Sequence, residues 1–225
     1  GDGEYFMRVA CDLAPGESAE FGFAYAVLLT ENAAFLGAGG TDWRFSGFYP
    51  VVCLFENGAW QANAPVQHAR YTLTSAADYE VTVTLPDEYR LTATGTAAHE
   101  KNGDGTSTWT VEAEEIREFS MSVGRVWRVY SGTTESGVSV NVYTNARFGG
   151  NRALAIVRDT IALYESWFGA FPARTVNIAE SDYALSRLTF AGEIWLSSPL
   201  FALSSRDELA YQLRYALAEQ YFGLS

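Results

Sequence analysis

The sequence predicts an α+β protein in which a β-rich part comes first and a part with long helices follows. Three observations support this prediction. Up to about residue 130, short segments alternate apolar and polar residues with period two, and turns separate them. From about residue 151, apolar residues recur at steps of three and four, as in Leu154, Val157 and Ile161. Near residue 205, an acidic turn opens a further apolar segment, which is typical of a helix start.

The β-rich part is assigned from its alternation and its turn residues. Strands are predicted at 20–25 and 79–85, and turns at 14–16, 56–58, 86–88 and 102–105. Many strands at short, regular spacing favour an antiparallel sandwich or a folded sheet.

The second part mixes strands with helices. A strand is predicted at 138–143, a helix at 151–168 that Gly169 and Pro172 terminate, and strands at 175–178 and 194–197. We therefore predict two domains, a β-rich domain at 1–130 and the opening of an α+β domain at 131–225.

The last helix is predicted at 205–222. Ser205 and Glu208 have the spacing of a capping box, in which each side chain accepts a bond from an unpaired amide. Gly223 stands where a helix end favours a left-handed residue.

Composition restricts the classes of function. The chain has 225 residues, of which 48% are hydrophobic and 19% charged, so it is globular rather than disordered. A net charge of −12 argues against binding to nucleic acid or to an anionic membrane surface, and no apolar run is long enough for a transmembrane helix. Cys11 and Cys53 leave both a disulfide and two free thiols open. The composition assigns no compartment, so the cell envelope, the extracellular space and the cytoplasm all stay open.

Five segments carry a resemblance to a known family. They are a proline–glycine turn at 13–17, a YP…GxW-like segment at 48–60, a VTVxLP…ATG-like strand pair at 79–95, a vRDF-like strand at 116–119 and a YE…FGpYP-like helix end at 164–172. In this order they resemble the gluzincin aminopeptidases, the aminopeptidase-N-like and leukotriene-hydrolase-like metallopeptidases. The resemblance implies a β-saddle domain at 1–130, without its first strands, and the start of a thermolysin-like catalytic domain at 131–225.

The segment 215–223, YALAEQYFG, is similar to the HELAHQWFG zinc helix of that family. There, H-E-x-x-H places two imidazoles one helical turn apart so that both reach one zinc ion, and the glutamate is the general base. The equivalent positions here are Tyr215, Ala216 and Glu219. A protonated phenol is a poor ligand, a methyl group takes no proton, and a single carboxylate makes no metal site. We therefore expect no catalytic residue, no metal ligand set and no cofactor in this chain, although the family uses zinc.

The segment 187–192, RLTFAG, is similar to the family's GMEYPG loop, whose glutamate grips the substrate's α-amine. Thr189 stands at the glutamate position, and its neutral hydroxyl offers no ion pair. A shifted alignment makes Glu193 the replacement, so Thr189 and Glu193 are both candidate substrate-binding residues.

Two further patterns receive structural interpretations. His68 and His99 both lie in the β-rich part and are expected to be isolated surface or loop histidines. The segment 100–105 resembles the start of a calcium loop, but Val111 stands where a bidentate glutamate is needed, so a polar hairpin is predicted instead.

Three functions remain as hypotheses. The first is a catalytically inactive metallopeptidase homologue with a binding or scaffold role, whose partner is a peptide or protein. The alternative is a zinc-dependent aminopeptidase whose functional ligands lie outside this chain. The second alternative is a β-sandwich adhesion or carbohydrate-binding module. Because the resemblance stops after the zinc-helix equivalent, we expect a fragment with an exposed packing face that can self-associate.

Overall fold

The computed structural model describes residues 6–31, 33, 35–61, 74–182 and 185–222. It contains both sheets and helices, which confirms the α+β class. The chain divides into two compact units, one of Gly1–Leu28 with Pro50–Ser75 and one of Leu29–Tyr49 with Ala76–Ser225.

The regular elements follow one another in the order strands, helix, strands, helix. The strands are β1 (Thr30–Glu31), β2 (Leu36–Ala38), β3 (Asp42–Ser46), β4 (Phe55–Glu56), β5 (Ala59–Trp60), β6 (Ala77–Pro86), β7 (Arg90–Ala93), β8 (Thr96–Lys101), β9 (Thr106–Ile116), β10 (Ser120–Gly124), β11 (Arg128–Thr133), β12 (Ser139–Thr144), β13 (Thr175–Ser181), β14 (Arg187–Phe190) and β15 (Glu193–Ser197). The helices are α1 (Arg147–Phe168) and α2 (Arg206–Phe222), and two short 3-10 turns, Ser198–Phe201 and Leu203–Ser205, precede α2.

The first unit has little regular structure in its described part. The predicted strand at 20–25 is wrong, because these residues pair with no other strand and remain mostly exposed. The predicted turn at 56–58 is confirmed: β4 and β5 form a hairpin in which Asn57 and Gly58 have positive φ values of 52° and 78°. Both values suit the tight turn of a two-residue hairpin.

In the second unit, two sheets form the β-rich layer. One has the strand order β1-β2-β3-β10-β7 and the other β6-β9-β8. On β6 the half-buried residues Tyr79, Val81, Val83 and Leu85 alternate with exposed ones, as the sequence pattern predicts. They pack with β7, β9 and β10 residues around fully buried Leu91, Val111 and Phe119, so the two sheets share one apolar core.

The remaining strands of the second unit form a mixed sheet of order β11-β12-β13-β15-β14. β12, β13 and β15 run parallel, whereas β11 and β14 pair antiparallel at the two edges. One face packs against α1 and α2 through an apolar cluster that includes Val142, Ile178 and Ile194. The opposite face carries Trp195, Phe190 and other large side chains. The boundary expected near residue 130 falls within β11, and a division into domains there stays a prediction.

Helix α1 begins at Arg147, four residues before the predicted start. Its first turn contains Gly149 and Gly150, which carry no apolar side chain and therefore give no periodic signal. A Cβ on Gly150 would lie 2.3 Å from the Tyr130 ring, so the glycine allows α1 to approach β11 closely. The predicted end is confirmed, because Gly169 has a φ of 88° and its amide bonds the Glu165 carbonyl at 3.1 Å.

Helix α2 begins without the predicted capping box. The Ser205 amide donates to the Ala202 carbonyl at 3.2 Å within a 3-10 turn, and the Glu208 carboxylate accepts from Gln212 at 2.6 Å instead. The 3-10 turn satisfies the amide that the capping box would have satisfied. Gly223 lies outside the described residues.

Candidate functional site

The positions that the zinc-helix resemblance singles out meet at the contact between α2 and β14. Tyr215 and Glu219 lie one turn apart on the same side of α2, as their four-residue spacing requires. Thr189 lies on β14, and its hydroxyl donates to Glu219 Oε2 at 2.7 Å. The structure thus brings together Thr189, Tyr215 and Glu219.

Arg187 joins this group, and the sequence reasoning missed it. Its guanidinium carbon lies 3.7 Å from the centre of the Tyr215 ring, its Nε donates to Glu219 Oε2 at 3.4 Å, and its Nη1 donates to Gln212 Oε1 at 2.6 Å. The period-two pattern of β14 could have indicated that Arg187 lies beside Thr189, because residues 187 and 189 must point to the same face of the strand. We call Arg187, Thr189, Gln212, Tyr215 and Glu219 the arginine cluster.

Charge within the arginine cluster is internally balanced. The side chains of Arg187 and Glu219 are 20% and 24% exposed, so their ion pair is neither fully screened nor fully buried. Partly exposed ion pairs and cation–π contacts contribute on the order of 1 kcal/mol each. The single carboxylate of the cluster therefore already has a cation and two hydrogen-bond donors.

The general-base position of the resembled family does not face the arginine cluster. Ala216 is fully buried and belongs to the apolar cluster between the helices and the mixed sheet. Its methyl group has no titratable function, so this position provides neither a base nor a ligand.

Glu193, the other candidate for substrate binding, lies on the opposite face of the β14–β15 hairpin. Phe190 pairs with Glu193, and Thr189 pairs with Ile194. Directly opposed residues in an antiparallel pair point to the same face and successive residues to opposite faces, so Glu193 and Thr189 point apart. The structure does not bring Glu193 into the arginine cluster.

The Glu193 carboxyl is instead fully buried on the sheet's other face. Its Oε2 accepts from the Thr92 hydroxyl at 2.9 Å, and its Oε1 accepts from the Trp195 indole at 2.9 Å. Burial raises the pKa of Glu193 to about 8, although both hydrogen bonds favour the charged form. Burial and the neighbouring Glu193 carboxyl together raise the pKa of Tyr143 to about 12.

A buried ion pair lies on the same face of the mixed sheet. Arg44 on β3 is fully buried and donates to Asp42 at 2.6 Å and to the Ser181 hydroxyl at 2.9 Å. Ser181 in turn donates to Asp42 at 2.7 Å, and the Asp182 amide donates to the other Asp42 oxygen at 3.0 Å. The charge of Arg44 is paired with that of Asp42, and the hydrogen-bonding groups of this ion pair have partners, which suits a structural role.

Other side chains of metal-binding type are dispersed. Among the described residues, no group of three or more His, Cys, Asp or Glu side chains could hold a metal ion. His99 stacks on Trp109 with a centroid distance of 4.3 Å, Cys11 and Cys53 are free thiols, and His68 lies outside the described residues.

The predicted polar hairpin at 102–105 is confirmed. β8 and β9 pair antiparallel up to Lys101 and Ser107, and Asp104 accepts hydrogen bonds from the amide and hydroxyl of Thr106. The Thr106 hydroxyl and amide lower the pKa of Asp104. The turn therefore uses its own carboxylate to close the hairpin.

A groove of about 340 Å³ lies beside the arginine cluster, between α1 and α2. Its lining consists of Tyr164, Asp207, Tyr211, Arg214, Tyr215 and Ala218. Tyr211 and Tyr215 are 57% and 46% exposed, so two aromatic rings face solvent along this shallow, open groove. Tyr215 belongs to both the groove and the arginine cluster.

No protein-family model matches the chain, and no curated protein is significantly similar to it. Within the described ranges, neither helix is both long and apolar enough to cross a membrane.

Proposed function

We propose that this chain is part of a metallopeptidase-like protein that binds a peptide or protein segment and does not cleave it. In this proposal the β-rich layer corresponds to a β-saddle and the mixed sheet with α1 and α2 to the start of a thermolysin-like domain. The observation that carries the proposal is the arginine cluster.

The composition of the arginine cluster supports the absence of zinc chemistry in this chain. A guanidinium cannot ligate a cation, because all its nitrogens are donors at neutral pH. Arg187 already occupies the vicinity of Glu219, so a metal ion would have to displace Arg187 and leave it without its carboxylate partner. Only one carboxylate would remain for the ion, whereas zinc sites use at least three protein ligands.

The adjacent groove supports a binding role. Tyrosine and arginine are enriched among residues that dominate binding energy, because they combine a large contact area with hydrogen-bonding groups. The lining of the groove combines Tyr211 and Tyr215 with the charged residues Arg214 and Asp207. This mixture suits an extended or helical peptide with apolar anchors.

Catalysis is tested with purified protein in added zinc. We expect no stoichiometric zinc by elemental analysis and no turnover of N-terminal aminoacyl-fluorophore substrates. Stoichiometric zinc together with turnover would overturn the proposal in favour of the zinc-dependent aminopeptidase.

Binding is tested separately with a peptide digest of an unfolded protein as the probe. Chemical-shift changes should concentrate around Tyr211 and Tyr215 and be lost in Tyr211→Ser. The matched control is Tyr25→Ser, which removes a similarly exposed tyrosine, 54% exposed, from the first unit. Equal loss in both variants, or no shift changes at all, would contradict a binding groove between α1 and α2.

A further inference from the structure

Glu193 lies at the contact between the mixed sheet and the β-rich layer. It is the first residue of β15, and Thr92, which donates to its Oε2, belongs to β7 in the sheet that contains β3 and β10. A second bond joins the same two sheets nearby, because Asn177 Nδ2 on β13 donates to the Ala93 carbonyl on β7 at 2.9 Å. The Glu193 carboxyl is therefore part of the connection between two layers.

The described contacts of the Glu193 carboxyl are hydrogen bonds and not ion pairs. No described basic side chain forms an ion pair with it, and its two contacts are a hydroxyl and an indole N–H. The titratable and charged groups that face it are the Tyr143 phenol on β12 and, near that phenol, the Arg90 guanidinium on β7. The other neighbouring strands, β13 and β14, contribute an amide and an aromatic ring, Asn177 and Phe190, which do not titrate.

The two protonation states of this carboxyl differ in their fit to the site. A neutral carboxyl retains both contacts, because the Thr92 hydroxyl can accept a bond from the acid as readily as it can donate one. An ionised carboxyl also accepts both bonds, but it places a charge in a fully buried position where no described basic side chain forms an ion pair with it. Because the carboxyl is fully buried against Thr92 of β7, a separation of β7 from β15 would expose the charge to water.

We propose that Glu193 is a proton-controlled latch that holds β7 against β15 while it is neutral and releases this contact when it ionises. The Arg44–Asp42 pair joins the same two layers at Ser181 and Asp182. Because the charges of Arg44 and Asp42 compensate each other, this pair keeps the two layers in contact when the contact between Glu193 and Thr92 is released. The burial that raises the pKa of Glu193 to about 8 places the opening in mildly alkaline solution.

The test follows two probes on either side of the latch by ¹⁵N NMR between pH 6 and 9.5. The Trp195 indole N–H reports on the carboxyl directly, and the Ala93 amide reports on β7. In the wild-type protein we expect both resonances to titrate together with a midpoint near pH 8. We also expect exchange of the Ala93 amide, corrected for its intrinsic pH dependence, to rise at least tenfold between pH 6 and 9, which corresponds to about 1.4 kcal/mol.

Two variants separate the effect of the Glu193 carboxyl from the effect of its hydrogen bond to Thr92. Glu193→Gln should abolish both titrations and the rise in exchange. Thr92→Val should leave the Trp195 titration in place while the Ala93 amide no longer follows it. Ser122→Ala is the matched control, because the Ser122 hydroxyl bonds to the Trp43 carbonyl within the β-rich layer and not across to the mixed sheet. This substitution should change neither the Trp195 titration nor the response of the Ala93 amide.

Three results would overturn the latch. The first is a Trp195 indole that does not titrate in the wild-type protein. The second is a titration that persists in Glu193→Gln, and the third is an Ala93 amide that still follows Trp195 in Thr92→Val. The latch does not depend on the proposed function, and zinc binding or turnover would leave it unaffected.

Discussion

Replacing Glu193 with glutamine should change how the stability of the protein depends on pH. Glutamine has nearly the same shape, its carbonyl oxygen can accept from Trp195, and its amide can donate to the Thr92 hydroxyl. The substitution therefore removes one ionisation and leaves the packing intact.

The size of the change in the free energy of unfolding follows from the raised pKa of Glu193. In the unfolded chain Glu193 releases its proton near its ordinary value of 4.5, whereas in the folded protein it does so near 8. Between these values the folded state holds a proton that the unfolded state has lost, so stability falls as pH rises. The slope is about 1.4 kcal/mol per pH unit, and the total loss is at most about 4 to 5 kcal/mol. Below pH 4.5 the stabilisation that comes from keeping Glu193 protonated is fully present, and above pH 8 this stabilisation is completely lost.

The assay is urea unfolding at pH 5, 7 and 9 for the wild-type protein and Glu193→Gln. We expect nearly equal stability at pH 5 and an advantage for the variant that reaches about 3 to 4 kcal/mol at pH 9, with the same dependence on urea concentration. Glu100→Gln, which removes an exposed carboxylate from β8, is the control and should run parallel to the wild type. Parallel curves for Glu193→Gln would refute the reasoning, because they would mean that the carboxyl is ionised or solvated in the folded state.

Two further substitutions test packing and charge pairing. Arg44→Met should destabilise the protein by about 3 to 5 kcal/mol in urea unfolding, because it leaves Asp42 buried without its cation; adding Asp42→Asn should recover part of the loss, and no recovery would contradict the pairing. Gly150→Ala should cost about 1 to 3 kcal/mol by the same assay, since its Cβ would lie 2.3 Å from the Tyr130 ring. Gly22→Ala, with nothing within 4 Å of the new Cβ, should change stability by less than about 0.5 kcal/mol, and an equal effect of both substitutions would contradict the close approach of α1 and β11.

Periodic elements were predictable wherever one face of the element is buried. The strand at 79–85, the end of α1 at Gly169 and the helix at 205–222 all follow from alternation, from three-and-four spacing or from terminating residues. The segment at 20–25 shows the limit of this reasoning. It has an alternating pattern, but the structure gives it no pairing partner and no buried face, and alternation stabilises a strand only through neighbours.

The start of α1 could not be predicted for a different physical reason. Gly149 and Gly150 have low intrinsic helix propensity, so the local sequence argues against a helix there. Tertiary packing overrides that preference, since Gly149 lies against the Phe201 carbonyl and Gly150 against the Tyr130 ring. Only the positions of residues far along the chain reveal why glycine is required.

The candidate site was predictable as a set of positions but not as an interaction network. Spacing placed Tyr215 and Glu219 on one side of a helix, and the resemblance made Thr189 a candidate substrate-binding residue, but only the structure shows that Thr189 contacts Glu219. The partner that balances the charge of Glu219 was Arg187, two residues before Thr189 on the same strand face. A search for metal ligands passes over arginine, because arginine is never a ligand.

Strand register determines why Glu193 and Glu219 lie in different surroundings. Thr189 pairs with Ile194 and Phe190 with Glu193, which directs Thr189 to the helices and Glu193 to the β-rich layer. A slip of one residue would exchange these faces, bringing Glu193 towards Glu219 and Arg187 while moving the apolar Ile194 out of the core it shares with the helices. Because Gln220 bonds both the Gly192 amide and the Phe190 carbonyl, α2 holds the turn that fixes this register. The same helix that carries the arginine cluster thus keeps Glu193 away from it, so Glu219 pairs with Arg187 on one face of the hairpin while Glu193 is buried against Thr92 and Trp195 on the other.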